Sequence, residues 1–211
     1  MLEKVTDKIG LQIPAPRFEV LEFELVGTSP YVQNRFSEKA KNEMEAKMIA
    51  GSVAKKGKKR TARNFEDDYE AAKHKSSEGW IGIPASCFRN ASISACRLVG
   101  FKMTLAKLSI FIESDGLDAT DGTPLVRIYG EPEPNKMPVR NATGVCDIRV
   151  RPLWREWSCK LRIRYDMDQF SRTDVANLLM RVGTQVGIGE GRSDSRSSAG
   201  LGWGFFRSVE K

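Results

Sequence analysis

Between Ser158 and Tyr165 the side chains alternate without a slip. Cys159, Leu161, Ile163 and Tyr165 fall on one parity and Lys160, Arg162 and Arg164 on the other. Successive strand residues point to opposite faces, so this stretch reads as a strand with one buried and one wet face. A looser alternation precedes it. From Val145 to Arg151, Ile148 and Val150 oppose Asp147, Arg149 and Arg151. The connection Pro152 to Trp157 is short enough for a hairpin. The two strands are therefore expected to pair and to gather Arg149, Arg151, Lys160, Arg162 and Arg164 on one sheet face. Same-face side chains recur every ~6.5–7 Å along a strand, close to the phosphate spacing of an extended single strand. The competing reading is an ordinary solvated sheet face.

The remaining segments supply a frame for this sheet. Ile13-Pro14-Ala15-Pro16 closes an N-terminal tail. Phe18 to Val26 reads as a strand, with Leu21, Phe23 and Leu25 opposite Glu22 and Glu24. Ser37 to about Ala50 and Phe65 to Lys75 read as polar helices within an insertion at about 37–79. Trp80 to Pro84 is a short strand, and Ser86 can cap a helix running to about Leu98, with Phe88, Ala91, Ala95 and Val99 on one face. Leu105–Glu113 and Leu125–Gly130 read as strands, and the proline-rich 131–141 as a loop. Ser171-Arg172-Thr173-Asp174 resembles a capping box. The helix behind it carries Val175, Leu178, Leu179 and Val182 at i, i+3, i+4 and i+7. A last strand runs from about Trp203 to Val209. With insertions removed, the order is β-α-β-β-α-β. That is an α+β chain with a ferredoxin-like (RRM-like) core, a helical and basic insertion and an extra β-hairpin.

Charge narrows the partners. The 211 residues hold 34 Lys and Arg against 27 Asp and Glu, a net charge of +7. Lys55, Lys56, Lys58, Lys59, Arg60 and Arg63 lie in one acid-free run, so most of the excess is local. A polyanion is a plausible partner for such a run, and a solvated loop the bland alternative. No apolar run approaches the ~18–20 residues of a membrane span, and the charged N-terminus shows no secretory signal, so a cytoplasmic location is expected. Cys87, Cys96, Cys146 and Cys159 are far apart, and His74 is the single histidine. The spacing suits no zinc site, and neither metal nor cofactor is expected. The cysteines read as small buried hydrophobes.

Glycines 187, 189, 191, 200, 202 and 204 form two alternating clusters, with Arg192 and Arg196 between them. A Walker A loop needs Lys-Ser or Lys-Thr after its last glycine, which is missing. A dinucleotide fingerprint opens a helix after a strand, whereas these glycines follow a helix. A backbone clamp on a phosphate or base remains, centred on Gly189, Gly191, Gly202 and Trp203, within a glycine-rich loop at about 187–204.

Three pieces, taken in order, resemble a known family. They are Gly27-Thr28-Ser29-Pro30-Tyr31-Val32, the strand-to-helix turn Ile83-Pro84-Ala85-Ser86-Cys87-Phe88-Arg89 continuing to Arg97, and the two glycine clusters. Together they resemble the repeat-associated mysterious protein (RAMP) superfamily, the RNA-binding proteins of CRISPR effector complexes. A weaker likeness is to small proteins encoded by tailed phages. Ala85 and Asn90 depart from the family pattern, which prefers glycine there, and the last loop lacks its compact Ser-Arg-Gly-Phe-Gly run. The resemblance implies one RAMP-like domain over 1–211 with a ferredoxin-like core that binds RNA.

Three functions follow as expectations. The first is a non-catalytic binder of single-stranded nucleic acid, RNA foremost, assembling along the strand as a homo-oligomer or as a subunit of a nucleoprotein complex. Its contacts would be the 55–63 cations, Arg89, Arg97, the hairpin cations, Arg192 and Arg196. Tyr31, Trp154, Trp157 and Trp203 are its stacking candidates. The second is a metal-independent endoribonuclease using His74, read as a surface residue beside Lys73 and Lys75. The third is a phage protein–protein module that mimics such a subunit.

Overall fold

The computed structural model describes residues 13–35, 42, 45, 46, 64–140, 146–194 and 200–209. The expected helix 37–50 lies, but for three of its residues, outside them. So do the basic run 55–63 and Arg196.

The first strand forms where the alternation places it. β1 (Phe18–Gly27) pairs antiparallel with β9 (Ser158–Asp166) from Phe18 to Val26, Leu21 opposite Ile163 and Phe23 opposite Leu161. β10 (Phe206–Ser208) lies on the other edge of β1. On its far edge β9 takes β4 (Ile110–Glu113) beside Ile163 and Arg164, and β6 (Pro124–Tyr129) beside Ser158 and Cys159. β3 (Gly82–Pro84) and β5 (Gly116–Leu117) complete this seven-stranded antiparallel sheet through β6. The chain is thus mixed α+β, with the path β10-β1-β9-β4 at its centre.

Two helices cover one face of that path. α2 (Ala85–Leu98) buries Phe88, Ala91, Ala95 and Cys96. α4 (Arg172–Arg181) buries Val175, Leu178 and Leu179. They meet Leu25, Leu161, Ile163 and Ile110 in one core, where each large apolar side chain contributes about 1.5–3 kcal/mol. The capping box is present with Asp in its third helical place: Asp174 N–H donates to Ser171 Oγ, and Ser171 N–H donates to the Asp174 carboxylate. α2 begins one residue before its expected cap. Pro84, held at φ −53, leads in without a side-chain hydrogen bond, and Ser86 is already helical. α1 (Phe65–Ala71) starts from Asn64, whose side chain accepts from Glu66 N–H.

Three expectations are corrected. The stretch from Leu105 starts as a helix, α3 (Met103–Ser109), and becomes a strand only at Ile110. Ala106 and Ser109, three apart, are its buried side, while Leu105 and Leu108 are exposed. The proline-rich 131–141 contains a strand, β7 (Glu133–Arg140). Among the described residues β7 is an edge strand bonded to β8 alone, and an edge leaves room for prolines. The third correction concerns the hairpin. β8 (Cys146–Trp154) joins β7 and the short β2 (Tyr31–Val32) in a separate three-stranded sheet, and it does not pair with β9. The connection at 155–157 carries the chain from one sheet to the other. Trp154 and Trp157 are buried beside Tyr31 at that corner, with ring centroids 5.5 and 5.7 Å from it. Trp154 Nε1 donates to Gly130 O and Trp157 Nε1 to Ser29 O. Aromatic packing wins the corner, so these three rings are not available to stack on bases.

Cys96 and Cys159 are buried, Cys87 half-buried and Cys146 exposed, all as thiols. Burial pushes the Cys87 thiol up to about 11. Among the described residues no helix is long and apolar enough to cross a membrane.

Several carboxylates are held below their ordinary range. Tyr165 and then Arg172 do this to Glu19, Lys73 and Lys75 to Glu70, Thr123 to Asp121, and Ser171 to Asp174. A lowered folded value means that the charged form is favoured by folding. The stability gained is complete above the unfolded values, 4.5 for Glu and 3.8 for Asp, and is lost as pH falls through the lower folded ones. Urea midpoints are expected to hold level down to about pH 5 and to fall below it. Midpoints unchanged at about pH 3 would contradict these assignments.

Candidate nucleic-acid interface

The expected five-cation face is divided by the sheet boundary, and most of its members meet acids. The outward parity of β1 and β9 is a checkerboard. Glu22 faces Arg162 and Glu24 faces Lys160 in register. Lys160 pairs with Glu22 at 3.3 Å, Arg162 with Asp115 at 3.0 Å and Arg164 with Glu113 at 3.0 Å. On the other sheet Arg151 pairs with Glu190 at 3.0 Å, and Arg149 is half-buried opposite Met137. Arg97 is exposed and pairs with Asp194 at 2.9 Å. Arg192 Nη1 donates to Gly189 O at 3.0 Å. Arg89 binds carbonyls instead of an acid: its Nε donates to Ile110 O at 3.1 Å and its Nη2 to Lys107 O. Among the described residues acids match bases almost one for one. The net +7 therefore resides in the rest of the chain, chiefly the 55–63 run.

The three segments that carry the family resemblance meet in space. Thr28 N–H donates to Phe205 O at 2.9 Å, and Phe205 N–H to Ser29 Oγ at 2.8 Å. Gly204 N–H donates to Pro30 O at 2.8 Å, Glu190 N–H to Val32 O at 2.9 Å and Ile188 N–H to Gly204 O at 3.1 Å. Phe88, in the first turn of α2, meets Phe206 beside them, ring centroids 6.0 Å apart. The glycines make this closeness possible. Gly204 (φ +74) lies so near Ile188 that a Cβ would fall 1.8 Å from its carbonyl oxygen. Gly191 (φ +81) lets the half-buried Trp203 lie against its Cα. Ile188, Glu190 and Gly204 thus spend their N–H donors within the chain, and of the residues expected to form a clamp Trp203 does so too, donating to Gly191 O at 3.3 Å. Among the described residues a Cβ added at Gly202 would meet Phe205 Cε2 at 3.4 Å.

His74 is not a surface residue. It is 9% exposed, and its Nδ1 lies 2.8 Å from Asp118 Oδ2. Its backbone N–H donates to Gln33 Oε1, and Gln33 Nε2 donates to Gly82 O. Asp118, whose side chain is 1% exposed, also accepts from Thr120 N–H and pairs with Arg35, which reaches on to Asp121. His74, Asp118 and Asp121 offer ligand atoms within 4.8 Å of one another. The Arg35 guanidinium, 3.5 Å from Asp118 and 3.7 Å from Asp121, already supplies the neutralising charge there. The arrangement ties three segments together, and it gives His74 a fixed place in the fold. Spacing alone did not reveal it, because Gln33, Arg35 and Asp118 are remote in sequence.

The chain matches no protein-family model and no curated protein sequence.

Proposed function

We propose that this chain is a non-catalytic binder of single-stranded nucleic acid, RNA foremost, with a ferredoxin-like core of the RAMP type. The observation that carries the reading is the convergence of the β1–β2 turn and both glycine clusters into one clasp, with the α2 entry packed beside it through Phe88 and Phe206. Those are the segments in which the resemblance lies, and a chance likeness of short motifs gives no reason for them to touch. Two further features support it. The path β10-β1-β9-β4 with crossover helices α2 and α4 on one face is the order a β-α-β-β-α-β core requires. The chain's charge excess sits in a single acid-free run. In this reading the run at Lys55 to Arg63 supplies most of the phosphate neutralisation, and the sheet face, with its paired charges, supplies little of it.

Anisotropy titration of a labelled single-stranded RNA across a salt series tests this. Affinity is expected to fall linearly in log–log form, by about 0.7 per phosphate neutralised. Replacing Lys55, Lys56, Lys58, Lys59, Arg60 and Arg63 together with glutamine is expected to remove most of that slope. Absence of binding at about 50 mM salt would sink the proposal.

A further inference from the structure

The open face of the sheet holds one corner that does not follow the checkerboard. Phe18 and Val20 fall on the same parity of β1 as Glu22 and Glu24, and they stand 37% and 48% exposed. Val20, Arg164 and Phe111 are in register across β1, β9 and β4. Phe18 meets Phe111 edge-on, centroids 5.8 Å apart. The Arg164 guanidinium lies 5.0 Å from one ring and 4.8 Å from the other. Arg89 reaches the same spot from the helical side, 5.5 Å from the Phe111 ring. Carbonyls take two of its five N–H donors, and among the described residues no acid neutralises it. Water-facing aromatic rings on a strand are a poor use of apolar surface unless something covers them.

We propose that Phe18, Phe111 and the Arg164 guanidinium form a stacking platform for a base of single-stranded nucleic acid, with Arg89 placed for the adjoining phosphate. The inference rests on the function proposed above and adds to it the site of base contact. Charge complementarity selects this occupant. The Arg164 guanidinium, held by Glu113, and two rings suit the π-face of any base, and the unneutralised Arg89 at the rim suits its phosphate, whereas an apolar peptide would cover that charge without neutralising it. The sheet is the same kind of platform on which exposed aromatics of β-α-β-β-α-β domains receive bases.

The test is the same RNA titration on Phe18→Ala and Phe111→Ala, with Phe18→Leu and Phe111→Leu keeping apolar bulk without a ring, and Phe111→Tyr restoring the ring. Circular dichroism and melting temperature report folding. Alanine and leucine are each expected to weaken binding about tenfold, Tyr to restore it, and the salt slope to stay unchanged because stacking moves no charge. Wild-type protein that binds RNA together with Leu variants that bind it equally well would overturn the platform and leave the proposed function standing. No binding by wild-type protein would instead remove the function on which it rests. Leu variants that keep RNA affinity but lose self-association in light scattering would assign the corner to a second copy of the chain, which also overturns the proposal.

Discussion

Gly204→Ala is expected to destabilise the fold by about 2–5 kcal/mol. The residue sits at φ +74, where a side chain costs ~1–2 kcal/mol. The new methyl would stand 1.8 Å from Ile188 O and 2.7 Å from Ile188 N, so the backbone of a wholly buried residue must move, at a further ~1–3 kcal/mol. Ile188 N–H donates to Gly204 O and Gly204 N–H to Pro30 O, so the loss spreads through the clasp. Gly200→Ala is the control. Its φ is +66, but among the described residues nothing lies within 4 Å of the added carbon, so the conformational cost of ~1–2 kcal/mol is what the substitution adds there. Urea midpoints of the two variants measure the difference. Equal losses would mean that close backbone approach does not hold the C-terminal clasp.

Asp118→Ala is expected to cost about 3–5 kcal/mol, the usual result of removing one partner from a buried charge network. The carboxylate serves His74 Nδ1, Thr120 N–H and Arg35, and the side chain is 1% exposed. Its loss leaves a guanidinium whose own side chain is 9% exposed, and whose Nε already lacks a hydrogen bond, with only Asp121 at 3.7 Å. Asp121→Ala removes a side chain that is 32% exposed, and it is expected to cost ~1 kcal/mol or less. Replacing Arg35 and Asp118 together with Met and Leu is expected to recover part of the loss, since an apolar pair leaves no stranded charge. Midpoints for Asp118→Ala and Asp121→Ala that agree within error would show that the network contributes no more than surface ion pairs do.

The parts of this fold that were legible in the sequence are those decided by local periodicity. β9 alternates cleanly because one face is packed and the other wet. α4 announces itself through Ser171, Asp174 and its apolar stripe. The parts that were not legible depend on which strand meets which. Short spacing between β8 and β9 suggested a hairpin, yet Trp154 and Trp157 turn the chain from one sheet into another, and no local pattern encodes that turn. The prolines of β7 signalled a loop because an edge position cannot be seen from the strand itself. α3 and β4 share one apolar run, where period three and period two overlap. For the site, cation positions were visible and their acidic partners were not, because Glu22, Glu113 and Asp115 come from three other segments. The out-of-phase Phe18 and Val20 were a visible signal of the aromatic corner, a break in an otherwise regular alternation.

The pairing of β1 has a consequence for how the protein is made. Its neighbours are β9 and β10, and Ser29 accepts from a residue 176 positions later. A ribosome adding about 5–20 residues per second releases the opening strand many seconds before either neighbour exists. During that interval Leu21, Phe23 and Leu25 have no sheet to join, and the nascent chain must be sheltered or stay loosely collapsed. Closure of the central sheet thus waits for the second glycine cluster to be made.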